Sequence, residues 1–115
     1  MNKRTHEKLR ALNGFLWASY ASLITPGETA KLAVFVEART EEDAALTAQV
    51  LKRMECEDVE VSARGSFRRR WRIGAVTAPL QVGETTIDEW QRALLGSLEG
   101  TSAELVHWVP LDAGA

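Results

Sequence analysis

Cysteine occurs once, at Cys56, and histidine only twice in a chain of 115 residues. A single cysteine excludes an internal disulfide framework, a CxxC motif and any multi-cysteine metal site, and it suits a reducing compartment, so a cytoplasmic location is expected. An excess of charge of one sign is also missing: 14 Lys+Arg stand against 16 Asp+Glu, a formal net charge of -2. That balance excludes the strong overall positive field of a dedicated nucleic-acid coat. The apolar stretch 15–24 is broken by Ser19 and Ser22 and falls well short of the roughly 20 residues that span a bilayer, so no membrane partner is expected. Residues 1–10 are charged, and no targeting segment is expected. Internal repeats and low-complexity tracts are absent. With 45% hydrophobic and 26% charged residues, the chain reads as one globular domain, residues 1–115, with a single core.

The pattern along the chain predicts an N-terminal helical extension over 5–24 and a core domain over 31–109. From Thr5 to about Leu23, Leu9, Leu12, Leu16, Tyr20 and Leu23 recur at helical spacing, and Thr25-Pro26-Gly27 ends the helix. Residues 31–38 are apolar on both faces, which marks a central strand. Thr40 caps a second helix that runs to about Met54, with Glu41, Glu42 and Asp43 near the positive end of its dipole. Val59, Val61 and Ala63 alternate with polar residues, as in an edge strand with one dry face. That strand makes a hairpin with residues 70–78, whose Trp71, Ile73, Ala75 and Thr77 face one way. Residues 79–85 read as a loop, after which Thr86 and Glu89 form a capping box for a third helix lined by Ile87, Trp90, Leu94 and Leu98. Gly100 stops that helix, and a last strand over 104–109 is closed by Pro110.

The core order is therefore strand, helix, strand, strand, helix, strand. This predicts an α+β fold, the ferredoxin-like βαββαβ sandwich: an antiparallel four-stranded sheet with two helices on one face and an extra N-terminal amphipathic helix. Phe35, Val76 and either Val106 or Trp108 would leave apolar atoms on the other face. The N-terminal helix carries a stripe that suits this face, folded back in its own chain or crossed to a second copy, so a homodimer through that helix or through the open face is one expectation.

Enzyme chemistry finds little support. Cys56, His6 and His107 are the only candidates for a nucleophile and base; Glu55 and Glu57 flank the cysteine and disfavour its thiolate. His107 reads as a half-buried, hydrogen-bonded side chain or as part of a polar pocket. Neither HxxxH nor HExxH occurs, and the adjacent acids Glu41, Glu42 and Asp43 point in different directions on a helix. GxGxxG and GxxxxGK[ST] are missing too, so no metal, cofactor or nucleotide is expected and no catalytic residue is assigned. The conspicuous segment is 64–72, with five arginines in nine residues: Arg64, Arg68, Arg69, Arg70 and Arg72, interleaved with Phe67 and Trp71. Three readings fit it: a solvated loop paired with the chain's own acids, a grip on an acidic protein, or contact with single-stranded RNA. Trp108 reads as core or as an aromatic anchor beside this hairpin, so the candidate contact residues are Arg68, Arg69, Arg70, Arg72 and Trp108.

Residues 31–109 resemble the bacterial regulator of ribonuclease E activity B family. The resemblance rests on Arg39-Thr40-Glu41-Glu42-Asp43-Ala44, on Trp71-Arg72-Ile73, and on Ile87-Asp88 followed by Leu94, Glu104 and Trp108. Where the family carries Gly-Gly-x-Tyr-Asp-Gly-Trp, this chain reads Thr101 to Trp108 and keeps the acid and the tryptophan. The resemblance implies a ferredoxin-like domain without catalytic residues that acts by protein contact, in its best-known members by binding an RNA-degrading endonuclease and lowering its activity. The peptidoglycan-binding SPOR class shares the strand order but sits behind a signal anchor.

Overall fold

The computed structural model describes residues 2–23, 25, 27–65 and 70–111. Its described elements are α1 (Lys3–Tyr20), β1 (Thr29–Ala30), β2 (Leu32–Ala38), α2 (Glu41–Arg53), β3 (Glu57–Arg64), β4 (Arg70–Val76), β5 (Leu80–Gln81), α3 (Glu84–Ser97) and β6 (Glu104–Pro110). The fold is α+β, with a four-stranded antiparallel sheet ordered β3-β4-β2-β6 and a two-stranded sheet of β1 and β5. The second sheet lies partly in the segment expected as a loop: Leu80 and Gln81 pair with Ala30 and Thr29 and extend the chain's backbone bonding beyond the main platform.

Side-chain alternation decides which face of the large sheet is dry. Leu32, Val34, Val36 and Ala38 of β2 and Ile73 and Ala75 of β4 are buried on one face, as a period of two requires. Leu51 and Ala44 of α2 and Ile87, Leu94 and Leu95 of α3 close over them in one cluster. Thr40 caps α2 as its pattern predicts, its side chain accepting a hydrogen bond from Asp43 N. The capping box at Thr86 and Glu89 does not form. Helix α3 starts earlier, at Glu84, with Gly83 as its N-cap and without a side-chain cap bond; the chain is already helical at Thr86.

Helix α1 also differs from expectation. It begins two residues before Thr5, because the Asn2 carboxamide oxygen accepts from Thr5 N at 2.8 Å, and it ends at Tyr20. Leu23, expected on the apolar stripe, lies beyond the helix and is 75% exposed. Leu9 and Leu16 enter the same core cluster as α2 and α3. The helix therefore does not cover the sheet's other face: all three helices share the dry side, and α1 packs on β6.

The outer strands depart from strict alternation. In β6 the register slips between Phe35 and Val36, which pair with His107 and Leu105 and leave Val106 as the extra residue of a bulge. Leu105 and Trp108, three apart, thereby both face the core. In β3 the register shifts between Glu57 and Glu60, and Asp58 adopts a left-handed φ of 53°. The dry face expected of β3 is mostly wet: Val61 is 44% exposed and only Val59 is half-buried. Pro110 is the last residue of β6 rather than a stop after it, and pairs with Leu32; an edge strand accommodates the missing N–H.

Candidate interaction surface

The face of the sheet away from the helices is built from β2 residues Ala33, Phe35 and Glu37, β4 residues Arg70, Arg72, Gly74 and Val76, and their partners on β3 and β6. Directly paired residues share a face. Phe35 lies at its centre, opposite Gly74 on one side and His107 on the other. Its ring leans over the glycine, where an added Cβ would meet ring atoms at 3.5 and 3.6 Å. The Arg72 guanidinium carbon stands 5.5 Å from the ring centroid, a cation–π geometry. The His107 ring stacks from the opposite side, with 6.2 Å between centroids and 29° between planes. Tyr20, from the last turn of α1, reaches round the sheet edge, and its hydroxyl shares a 3.1 Å hydrogen bond with His107 Nε2. His107 is thus the half-buried, hydrogen-bonded residue of the sequence reading.

One end of this face is rich in arginine. Arg64 lies directly across from Arg70, and Ser62 across from Arg72. Glu37 sits between Arg70 and Arg72 at 4.0 and 3.9 Å, close enough for charge attraction and too far for hydrogen bonds. Two guanidinium groups therefore share the Glu37 carboxylate, and Arg64 and Arg70 face each other as a like-charge pair, which destabilises a ladder.

Of the residues expected at a contact surface, Arg70 and Arg72 take places on this face. Arg68 and Arg69 lie outside the described residues. Trp108 is corrected: it is fully buried, with 0% exposure, and cannot anchor a partner. The bulge at Val106 turns it inward, where its Nε1 donates to Asn13 Oδ1 at 2.9 Å and its ring meets Trp17 and Tyr20 at centroid distances of 5.8 Å. Asn13 in turn donates to buried Gln91 at 2.7 Å, so α1, α3 and β6 are joined by one polar chain. The same bulge places His107 and Val109, rather than Val106 or Trp108, on the open face. Arg64 stood in the arginine segment of the sequence but not among the candidate contact residues, although alternation across the hairpin could have placed it there; the pairing of Phe35 with His107 joins residues 72 positions apart and left no local signal.

The residues considered for enzyme chemistry have separate surroundings. Cys56 is half-buried after α2, and loss of solvent pushes its thiol from 9.0 up to about 11, so it is protonated at neutral pH. Burial rather than the adjacent glutamates is the cause. His6 accepts a hydrogen bond from Arg92, whose Nε donates to Asp88 Oδ2 at 2.6 Å. Among the described residues, no three His, Cys, Asp or Glu side chains come together as a metal site. None of the described helices is long and apolar enough to cross a membrane. Compared with known proteins, the chain matches no protein-family model and no curated protein.

Proposed function

We propose that this chain is a small, non-enzymatic interaction domain that docks an acidic protein surface on the arginine end of its open sheet face. The observation that carries the reading is the Arg64–Arg70 cross-strand pair with Arg72 beside it, where, among the described residues, Glu37 is the one carboxylate within 4.0 Å of Arg70 and Arg72. In the isolated chain this arrangement is repulsive; a partner carboxylate would relieve it, and bidentate guanidinium–carboxylate bonds would add specificity. The half-buried Phe35 and His107 beside the arginines give the polar end an aromatic centre, the anatomy of a protein interface. The succession β2, α2, β3, β4, α3, β6 and the order β3-β4-β2-β6 support a ferredoxin-like plan to which α1 is added.

An RNA-degrading endonuclease, the partner that the family resemblance implies, is the first candidate, with binding lowering its activity in the cytoplasm. Single-stranded RNA fits less well. A base would need a free ring face, yet Arg72 and His107 lie against Phe35, and Glu37, Glu57 and Glu60 share the surface. The test is affinity capture from the native cell with and without ribonuclease, followed by binding of the purified captured protein. A protein partner should survive ribonuclease, bind more weakly as salt rises, and lose at least about tenfold in affinity to the R70E/R72E double variant, as charge pairs across interfaces do. Capture abolished by ribonuclease, or affinity indifferent to the two substitutions, would overturn the reading.

A further inference from the structure

A cavity of about 270 Å³ opens between the first turns of α1, the end of β2, the start of β4 and the segment leading into β6. Its inner wall includes the buried side chains of Leu9, Leu95 and Leu105. Around it stand four cations, Arg4, Lys8, Arg39 and Arg70, against two carboxylates, Glu37 and Glu104. Lys8 and Glu104 neutralise one another at 2.9 Å, and Glu37 is divided between Arg70 and Arg72. Among the described residues, Arg4 and Arg39 have no ion-pair partner. The cavity thus joins an apolar floor to a rim with two unmatched positive charges.

We infer that this cavity binds a carboxylate carried on a short apolar group. The apolar part lies on the leucines and the carboxylate meets Arg4 and Arg39. A cavity of about 150 Å³ already accommodates benzene, so a five- or six-carbon chain has room. A bare inorganic anion would leave the leucine floor uncovered, and an uncharged alcohol would leave the arginines unmatched; the combination selects for a molecule with both parts. The site goes beyond the proposed docking function and shares Glu37, Arg70 and Glu104 with that surface.

The experiment is an NMR titration of the full chain with sodium hexanoate, hexan-1-ol and inorganic phosphate. Hexanoate should shift the amides of Arg39, Ser102 and Ala103 saturably, and the other two probes should bind at least tenfold more weakly. The Arg4→Ser/Arg39→Ser double variant should weaken hexanoate at least tenfold while leaving partner capture by the open face intact, and Ala103→Leu, which fills the cavity, should block it. A leucine-terminated tripeptide and its C-terminal amide identify the source of the carboxylate: tighter binding of the free-acid peptide than of hexanoate indicates a polypeptide end, and weaker binding a free organic acid. No saturable shift at millimolar hexanoate, equal binding of hexan-1-ol, or shifts that persist in the double variant would overturn the inference.

Discussion

Asp43 ties the start of α2 to the segment before β6. Its Oδ2 accepts from Ser102 N at 2.8 Å and from Ser102 Oγ at 2.5 Å, and Ser102 Oγ accepts from Arg39 N at 2.9 Å. These bonds favour the ionised carboxylate, and hydrogen bonds from Ser102 above all hold Asp43 below the usual carboxylate range. A lowered folded-state value stabilises the fold above the unfolded value and is lost as the pH falls through the folded one. Urea unfolding of the parent and of Asp43→Asn between pH 7 and pH 2 should therefore show the parent ahead at neutral pH and the gap narrowing below about pH 4. A gap that stayed constant over that range would mean that the charge plays no part. The sequence identified Asp43 as a first-turn acid; its bond to Ser102, 59 positions away, was invisible because a helix-dipole role accounts for the same residue without any distant partner. Trp108 shows the same limit. Alternation alone gives its parity, and a single inserted residue at Val106 reverses it.

At the scale of elements, local chemistry read well wherever it acted alone. Thr40 caps α2 through its own hydroxyl, and the alternation of Ile73, Ala75 and Thr77 fixes the buried side of β4. Helix α3 read less well, since Thr86-x-x-Glu89 resembles a cap while Gly83 occupies the actual capping position. Gly83 has φ -175° and ψ 151°, an extended conformation open to any residue, and a Cβ there would lie 3.8 Å from Thr86 Oγ1, an ordinary contact. Gly83→Ser should therefore supply the missing cap and reduce unfolded-chain entropy, a gain of about 0.5–1 kcal/mol. Thermal or urea unfolding measures it, and a lowered midpoint would show that the glycine serves another purpose. The edges of the sheet were less legible still. The bulge at Asp58 on β3 and the bulge and proline of β6 interrupt the flat ladder that a further strand would need, and such interruptions leave no periodic trace in sequence.

At the scale of the whole molecule, the position of α1 governs both stability and the surface left for partners. Leu9 and Leu16 lie in the common core, and the Trp108–Asn13–Gln91 hydrogen bonds fasten the helix to β6 and α3. Leu16→Ala should thus cost about 2–5 kcal/mol, a large share of the roughly 5–15 kcal/mol that holds a domain of this size. Denaturant unfolding reads the loss; a change below about 0.5 kcal/mol, the size typical of surface substitutions, would mean that α1 stands off the core. With α1 on the helical side, the opposite face stays half-exposed, and Phe35, Arg72 and His107 form a surface instead of a second core. Of that surface, Arg64, Arg70 and Arg72 were legible in the sequence as part of an arginine cluster, whereas the placing of Arg64 directly opposite Arg70 came only through hairpin register. Composition, spacing and alternation by themselves determined the α+β class, the core succession of strands and helices and the buried side of the central strands, because burial periodicity and capping act over a few residues. Which side α1 covers, which way Trp108 turns and which charges meet on the open face were decided by tertiary structure alone, because each depends on a register or packing contact between residues far apart in the chain.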